Sequence, residues 1–262
     1  MDSKGISLLK NIQGSAEERI QAIFSLLHET TQSSFDALQF CLENDPNPIV
    51  RHEAAYVLGE KGDKRSVPIL IHSIKRDENK FVIHEATLGL SNLGELSLPD
   101  SKPIIMSLLN HEDEGVVDTA EIALQRLNMK LSKQTLKSDP KEIIKDLSND
   151  NKENRIQASF LLMEDASEES IDALIQALRQ EPSDIVKHEI IFALGESISY
   201  KAIPDLLKIV ENEKGIFSLH ESLLALATIG SNEVSDTIKR FFNHCDSNIR
   251  ETAQIAFDRL LS

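Results

Sequence analysis

An all-α solenoid is the fold class that this 262-residue chain predicts, on three observations. Only ten Gly, eight Pro and 5% aromatic residues punctuate a chain rich in Leu, Ile, Ala, Glu and Lys, a balance that favours helices over sheets. The chain repeats itself internally. Its apolar residues also recur at the helical period, as Val50, Ala54, Val57 and Leu58 do.

The repeat is legible residue by residue. Laid over 155–230 without a gap, residues 19–94 bring Arg19-Ile20-Gln21-Ala22 onto Arg155-Ile156-Gln157-Ala158, and Asp36-Ala37-Leu38 onto Asp172-Ala173-Leu174. Val50, His52, Glu53, Leu58, Gly59 and Glu60 fall on Val186, His188, Glu189, Leu194, Gly195 and Glu196. Past Gly94 and Gly230 the second copy is three residues shorter, and the register returns in VVDTAEIALQRL (116–127) against IRETAQIAFDRL (249–260).

Within each half a smaller unit recurs. One helix opens near a Pro or Asp, as in NPIVRHEAAYVLGEKGD; Gly59 and Gly62 supply its stop. A second helix follows, SVPILIHSIKRD, whose Pro68 suits a first turn. Leu/Ile-rich helix pairs at this period describe an α-solenoid of HEAT type, with four units per half and eight in all. The stretch NMKLSKQTLKSDPKE (128–142) lacks the apolar stripe and contains Asp139-Pro140. The expected organisation is an N-terminal half 1–130, a linker 131–146 and a C-terminal half 147–262.

Charge and cysteine usage exclude some function classes. A net charge of −15 argues against a nucleic-acid partner, which needs a basic surface, and favours a cationic partner or substrate. Cys41 and Cys245, each read as lying in an apolar helical stretch, are too few for a disulfide framework, and reduced cytosolic thiols are the default. The first residues, MDSKGISLLKNIQGS, hold no signal-peptide core, and no apolar run approaches the ~18–20 residues of a membrane span. A cytoplasmic protein without a membrane partner is expected.

The chemistry sits in four His-Glu dipeptides: His52-Glu53, His84-Glu85, His188-Glu189 and His220-Glu221. Six of the eight His are followed by Glu, and these four stand 32 residues apart within each half and 136 apart between halves. Each lies in the first or second turn of a helix, pointing away from the core stripe. Successive solenoid helices lie roughly 10 Å apart, so one pair stands beside the next. Two His and up to two carboxylates then converge in each half. Neutral imidazole with carboxylate suits iron, with open positions for dioxygen. Two half-sites facing each other would give a dinuclear centre. His28-Glu29 and His111-Glu112 lack counterparts and read as surface residues, as does His72, with Lys208 opposite it. There is no dinucleotide-binding or P-loop glycine spacing, no Cys-x-x-Cys and no Gly-x-Ser-x-Gly elbow.

These motifs resemble those of the deoxyhypusine hydroxylase family, HEAT-repeat di-iron monooxygenases, along essentially the whole chain. VRHEAAYVLG (50–59) and VKHEIIFALG (186–195) are similar to its first and third motifs, VIHEATLGLSNLG (82–94) and LHESLLALATIG (219–230) to its second and fourth; Ser138-Asp139-Pro140 and the closing IRETAQIAFDRL also match. The family hydroxylates the deoxyhypusine side chain of translation initiation factor 5A to hypusine. The resemblance implies two Fe2+ ions, one held by His52, His84 and Glu85 and the other by His188, His220 and Glu221, oxidised by O2 to a diferric peroxo species. Glu53 and Glu189 would act as catalytic residues facing the amine-rich substrate, in a chain that works as a monomer. The Arg that precedes the family's His is present only as Arg51; Lys187, Ile83 and Leu219 fill the other places, and Leu88 and Leu224 alter the small-residue run. The alternatives are a non-enzymatic HEAT interaction scaffold, and a di-iron oxidase or oxygen carrier with another substrate.

Overall fold

The computed structural model describes residues 3–97, 99–132, 139–212, 214–230 and 234–261. Among these are sixteen α-helices and no strand. The chain divides into two compact units, Met1–Gln134 and Thr135–Ser262.

The first unit holds α1 (Ser3–Lys10), α2 (Ala16–Ser25), α3 (Gln32–Asn44), α4 (Pro48–Glu60), α5 (Ser66–Arg76), α6 (Lys80–Asn92), α7 (Ser101–Ser107) and α8 (Glu114–Ser132). They form four helical hairpins in two layers: α2, α4, α6 and α8 stack side by side, and α1, α3, α5 and α7 make the second layer. The second unit repeats the plan with α9 (Pro140–Asp146), α10 (Lys152–Asp165), α11 (Glu168–Gln180), α12 (Asp184–Glu196), α13 (Ile203–Asn212), α14 (Ile216–Ile229), α15 (Ser235–Lys239) and α16 (Ser247–Leu261). Here α10, α12, α14 and α16 stack in one layer. Eight hairpins of an all-α solenoid are thus present, as the sequence predicts.

The layers differ in what they bury. The second-layer helix α5 is amphipathic, burying Val67, Ile69, Leu70 and Ile74 and exposing its polar face. The central stacked helices are buried all round: α6 is buried without a break from Phe81 to Ser91, and α14 from Phe217 to Ala227. Burial of Phe35, Phe81 and Phe217 anchors the cores, each side chain contributing about 1.5–3 kcal/mol.

Glycine permits one unusually close approach. At the contact of α4 with α6, Gly59 and Gly89 meet backbone to backbone; a Cβ built on Gly59 would run into the Gly89 Cα. The matching contact of α12 with α14 pairs Gly195 with Ala225, where an added Cβ would lie 2.9 Å from the Ala225 Cβ.

Within the segment expected to be linker, 131–146, α8 continues to Ser132, and α9 starts at Pro140 behind an Asp139 cap and buries Ile143. Residues 133–138 lie outside the described residues. Cys41 is buried in α3, but Cys245 is exposed in the turn before α16, where no packed face claims it.

Candidate metal centre

Each of the four dipeptides occupies the same place in its helix. His52, His84, His188 and His220 are the fifth residues of α4, α6, α12 and α14, and the Glu is the sixth. The phase is set by the caps. Asn47 accepts from the Ile49 amide at 2.9 Å, Asn79 from Phe81 at 3.0 Å and Ser183 from Val186 at 3.4 Å. Arginines then tie each helix start to the next. Arg19 holds Asp45 at 2.6 Å and Arg51 holds Asp77 at 2.7 Å, while Asp45 and Asp77 accept from the Asn47 and Asn79 amides, both at 2.9 Å.

In the second half Arg155 holds Glu181 at 2.7 Å in the same way, and only the counterpart of Arg51 is lost. Where Arg51 fixes the start of α6, Lys187 stands before α14, and Asp184 of α12 takes over. Its carboxylate accepts from the Phe217 amide at 3.1 Å, the Ser218 amide at 3.0 Å and the Ser218 hydroxyl at 2.5 Å. A Cβ at Gly215 would meet the Asp184 carboxylate and push it aside.

In the first unit the stacked helices bring His52, His84 and Glu85 together. The imidazoles lie nearly parallel, 9° apart with centroids separated by 6.4 Å. Glu85 Oε2 is 3.4 Å from His52 Nε2 and 3.9 Å from His84 Nε2. The second unit reproduces the set: His188 and His220 stack at 6.1 Å and 8°, with Glu221 Oε2 3.4 Å from His188 Nε2 and 4.0 Å from His220 Nε2. Glu53 and Glu189, the remaining predicted site residues, lie beside the outer imidazoles, with Oε1 3.9 Å from His52 Nδ1 and 3.3 Å from His188 Nδ1. All eight side chains are buried, His84 and His220 completely.

One further residue, not singled out from the sequence, adjoins each set. His84 Nδ1 is 2.8 Å from Thr119 Oγ1 of α8, and His220 Nδ1 is 2.6 Å from Thr252 Oγ1 of α16. The signal was present, because both threonines fall at the same column of VVDTAEIALQRL and IRETAQIAFDRL. The other histidines are elsewhere: His28 and His72 are exposed, and His111 and His244 accept from the Asp113 and Asp246 amides in turns before α8 and α16.

Burial pushes the Glu221 carboxyl up to about 7; the neighbouring His188 and Arg259 pull it down less than desolvation raises it, and Glu189 and Glu196 add to the rise. A dry, acidic His-His-Glu set is a poor place for a bare carboxylate and a good one for a cation. With ligand bonds of about 2.0–2.2 Å at angles near 90–120°, one ion requires donor separations of roughly 3–3.6 Å. The carboxylate-to-imidazole separations of 3.4 Å and 3.9–4.0 Å lie within that span or a few tenths of an ångström outside it. Two imidazoles and one carboxylate with open positions form the ligand set of non-haem ferrous oxygenases.

A profile described as HEAT repeats matches residues 6–91 and 171–258. The chain belongs to the HEAT-repeat family. It is similar to a protein of Candida albicans named deoxyhypusine hydroxylase, 26% identical over 92% of this chain and 85% of the relative. It is also 29% identical to the Aspergillus clavatus protein of the same name, over 98% of this chain and 90% of the relative. Among solved structures, human deoxyhypusine hydroxylase in complex with glycerol superposes with a TM-score of 0.82 over 98% of this chain and 95% of that one, at 21% identity, which fixes the fold. No helix among the described residues is long and apolar enough to cross a membrane.

Proposed function

We propose that the chain is a deoxyhypusine hydroxylase, acting on the deoxyhypusine side chain of translation initiation factor 5A. The observation that carries the reading is the His-His-Glu set built twice at the same helix positions, in a chain matched along most of its length by relatives bearing that name. In this reading His52, His84 and Glu85 hold one iron and His188, His220 and Glu221 hold another. Bound iron supplies, with dioxygen, the oxidising power to hydroxylate an unactivated C–H bond. The protein contributes a dry setting that excludes water, and a fixed direction for each donor. Glu53 and Glu189 are the carboxylates left beside the outer imidazoles. They orient the cationic amines of the substrate, an assignment in keeping with a chain of net charge −15.

The test is anaerobic loading with ferrous iron, followed by dioxygen and the deoxyhypusine-bearing factor, with the modified peptide read by mass spectrometry. The expected product carries one added oxygen atom on that side chain. Iron uptake with an unmodified factor would reassign the chain to another substrate. Failure of both uptake and product would leave a HEAT scaffold.

A further inference from the structure

Thr119 and Thr252 each sit in the second turn of a helix and bond back to their own backbone. Thr119 Oγ1 is 2.7 Å from the Gly115 carbonyl and Thr252 Oγ1 is 2.8 Å from the Asn248 carbonyl. A hydroxyl has one proton, and a carbonyl can only accept. The threonine proton is therefore spent on the carbonyl, and the hydroxyl oxygen can only accept from the second neighbour, the imidazole Nδ1 at 2.8 Å or 2.6 Å. His84 and His220 must then carry their proton on Nδ1. In the neutral ring this puts the lone pair on Nε2, the nitrogen that faces Glu85 or Glu221.

We propose that Thr119 and Thr252 are positioning residues that lock His84 and His220 into the Nδ1–H tautomer, aiming each Nε2 lone pair into its His-His-Glu set. The arrangement occurs once per half, on helices that supply no member of the sets. Both imidazoles are completely buried, so solvent does not reorient them. The threonines thereby do for these two histidines what an outer hydrogen-bond partner does for a metal-bound imidazole: fix tautomer and ring plane and raise basicity. The tautomer assignment stands by itself; its use in metal binding rests on the function proposed above.

The experiment is long-range 1H–15N correlation on metal-free, 15N-histidine-labelled full chain near pH 8, for the wild type, Thr119→Val and Thr119→Ser. The wild type is expected to show His84 and His220 protonated on Nδ1. Thr119→Val should lose the bias at His84 alone, and Thr119→Ser should retain it. Protonation on Nε2 in the wild type would overturn the proposal, as would an unchanged Nδ1–H signal for His84 in Thr119→Val. In parallel, anaerobic ferrous titration should show the valine variant losing affinity about 10–100-fold in one of two sites, with serine restoring it. A wild type with the expected tautomers that takes up no iron would refute the iron reading and leave the threonine assignment standing.

Discussion

Replacing Gly59 by Ala tests how the first His-His-Glu set is held at its working separation. The glycine Cα rests against that of Gly89, so a methyl group on residue 59 meets backbone, which cannot rotate away. Restoring ordinary contact requires α4 and α6 to part by about 1 Å, and overpacking of this kind costs about 1–3 kcal/mol. The gain in helix propensity from Gly to Ala returns about 1 kcal/mol, leaving a net loss of about 0–2 kcal/mol. The same movement would carry His52 Nε2 and Glu85 Oε2, now 3.4 Å apart, beyond the reach of one ion. Gly89→Ala is the internal control. Its Cβ would lie 3.1 Å from the Gly59 Cα, and the second half already places Ala225 at that position. Gly195→Ala, with its Cβ 2.9 Å from Ala225, should fall between the two. Thermal unfolding and ferrous titration of the three variants should therefore rank Gly59→Ala worst and Gly89→Ala near wild type. A Gly59→Ala protein with unchanged stability and iron uptake, or a reversed ranking, would refute the argument that close backbone contact spaces the ligands.

Other consequences can be checked alongside. Because burial holds the Glu221 proton to about 7 against an ordinary 4.5, the metal-free fold should lose stability as pH rises through that interval, by up to about 3 kcal/mol at 1.36 kcal/mol per pH unit, and then level off. Glu221→Gln should match wild type near pH 4.5 and exceed it by up to that amount at pH 8 in denaturant titrations; equal stability at both pH values would count against the desolvation account. Asp184→Ala strips the start of α14 of its cap and should lower the unfolding midpoint by the equivalent of about 1–2 kcal/mol, whereas Asp184→Asn should recover part of it. His84→Ala should remove one iron and abolish turnover while circular dichroism remains helical, since the apolar faces that build the solenoid are untouched; full iron and full activity would show the ligand assignment to be wrong.

The sequence was most legible where a residue's role follows from spacing. A 32-residue step equals one hairpin, so it returns His52 and His84 to the same turn of neighbouring stacked helices, and their convergence follows from the repeat alone. Roles set by partners distant in sequence were not legible. Thr119 looks like any polar residue in a helix until α8 is laid against α6 and its hydroxyl meets His84. The loss of Arg51's counterpart at Lys187 looked like a departure from pattern; the substitute, Asp184, acts from the preceding helix onto amides more than thirty residues away. Cys245 lies in a turn before α16 rather than in a helix, among the polar residues Asn243, His244, Asp246 and Ser247. The raised Glu221 carboxyl is a product of desolvation by surrounding elements, which no local window encodes.

The compactness of each set along the chain bears on how it is made. His52, Glu85 and Thr119 span 68 positions, and each adjoining contact links residues about 32 to 35 apart. A ribosome releases the chain from its N-terminus, and domains fold as they emerge. Once the segment through α8 has cleared the exit tunnel, the first histidine pair, its carboxylate and its threonine are all available to one another. Half of the chain has by then yet to emerge. Successive hairpins of a solenoid can be added in order without a long search for distant partners. Biogenesis of the second set is then a repetition of the first, run on α12, α14 and α16 when their turn comes.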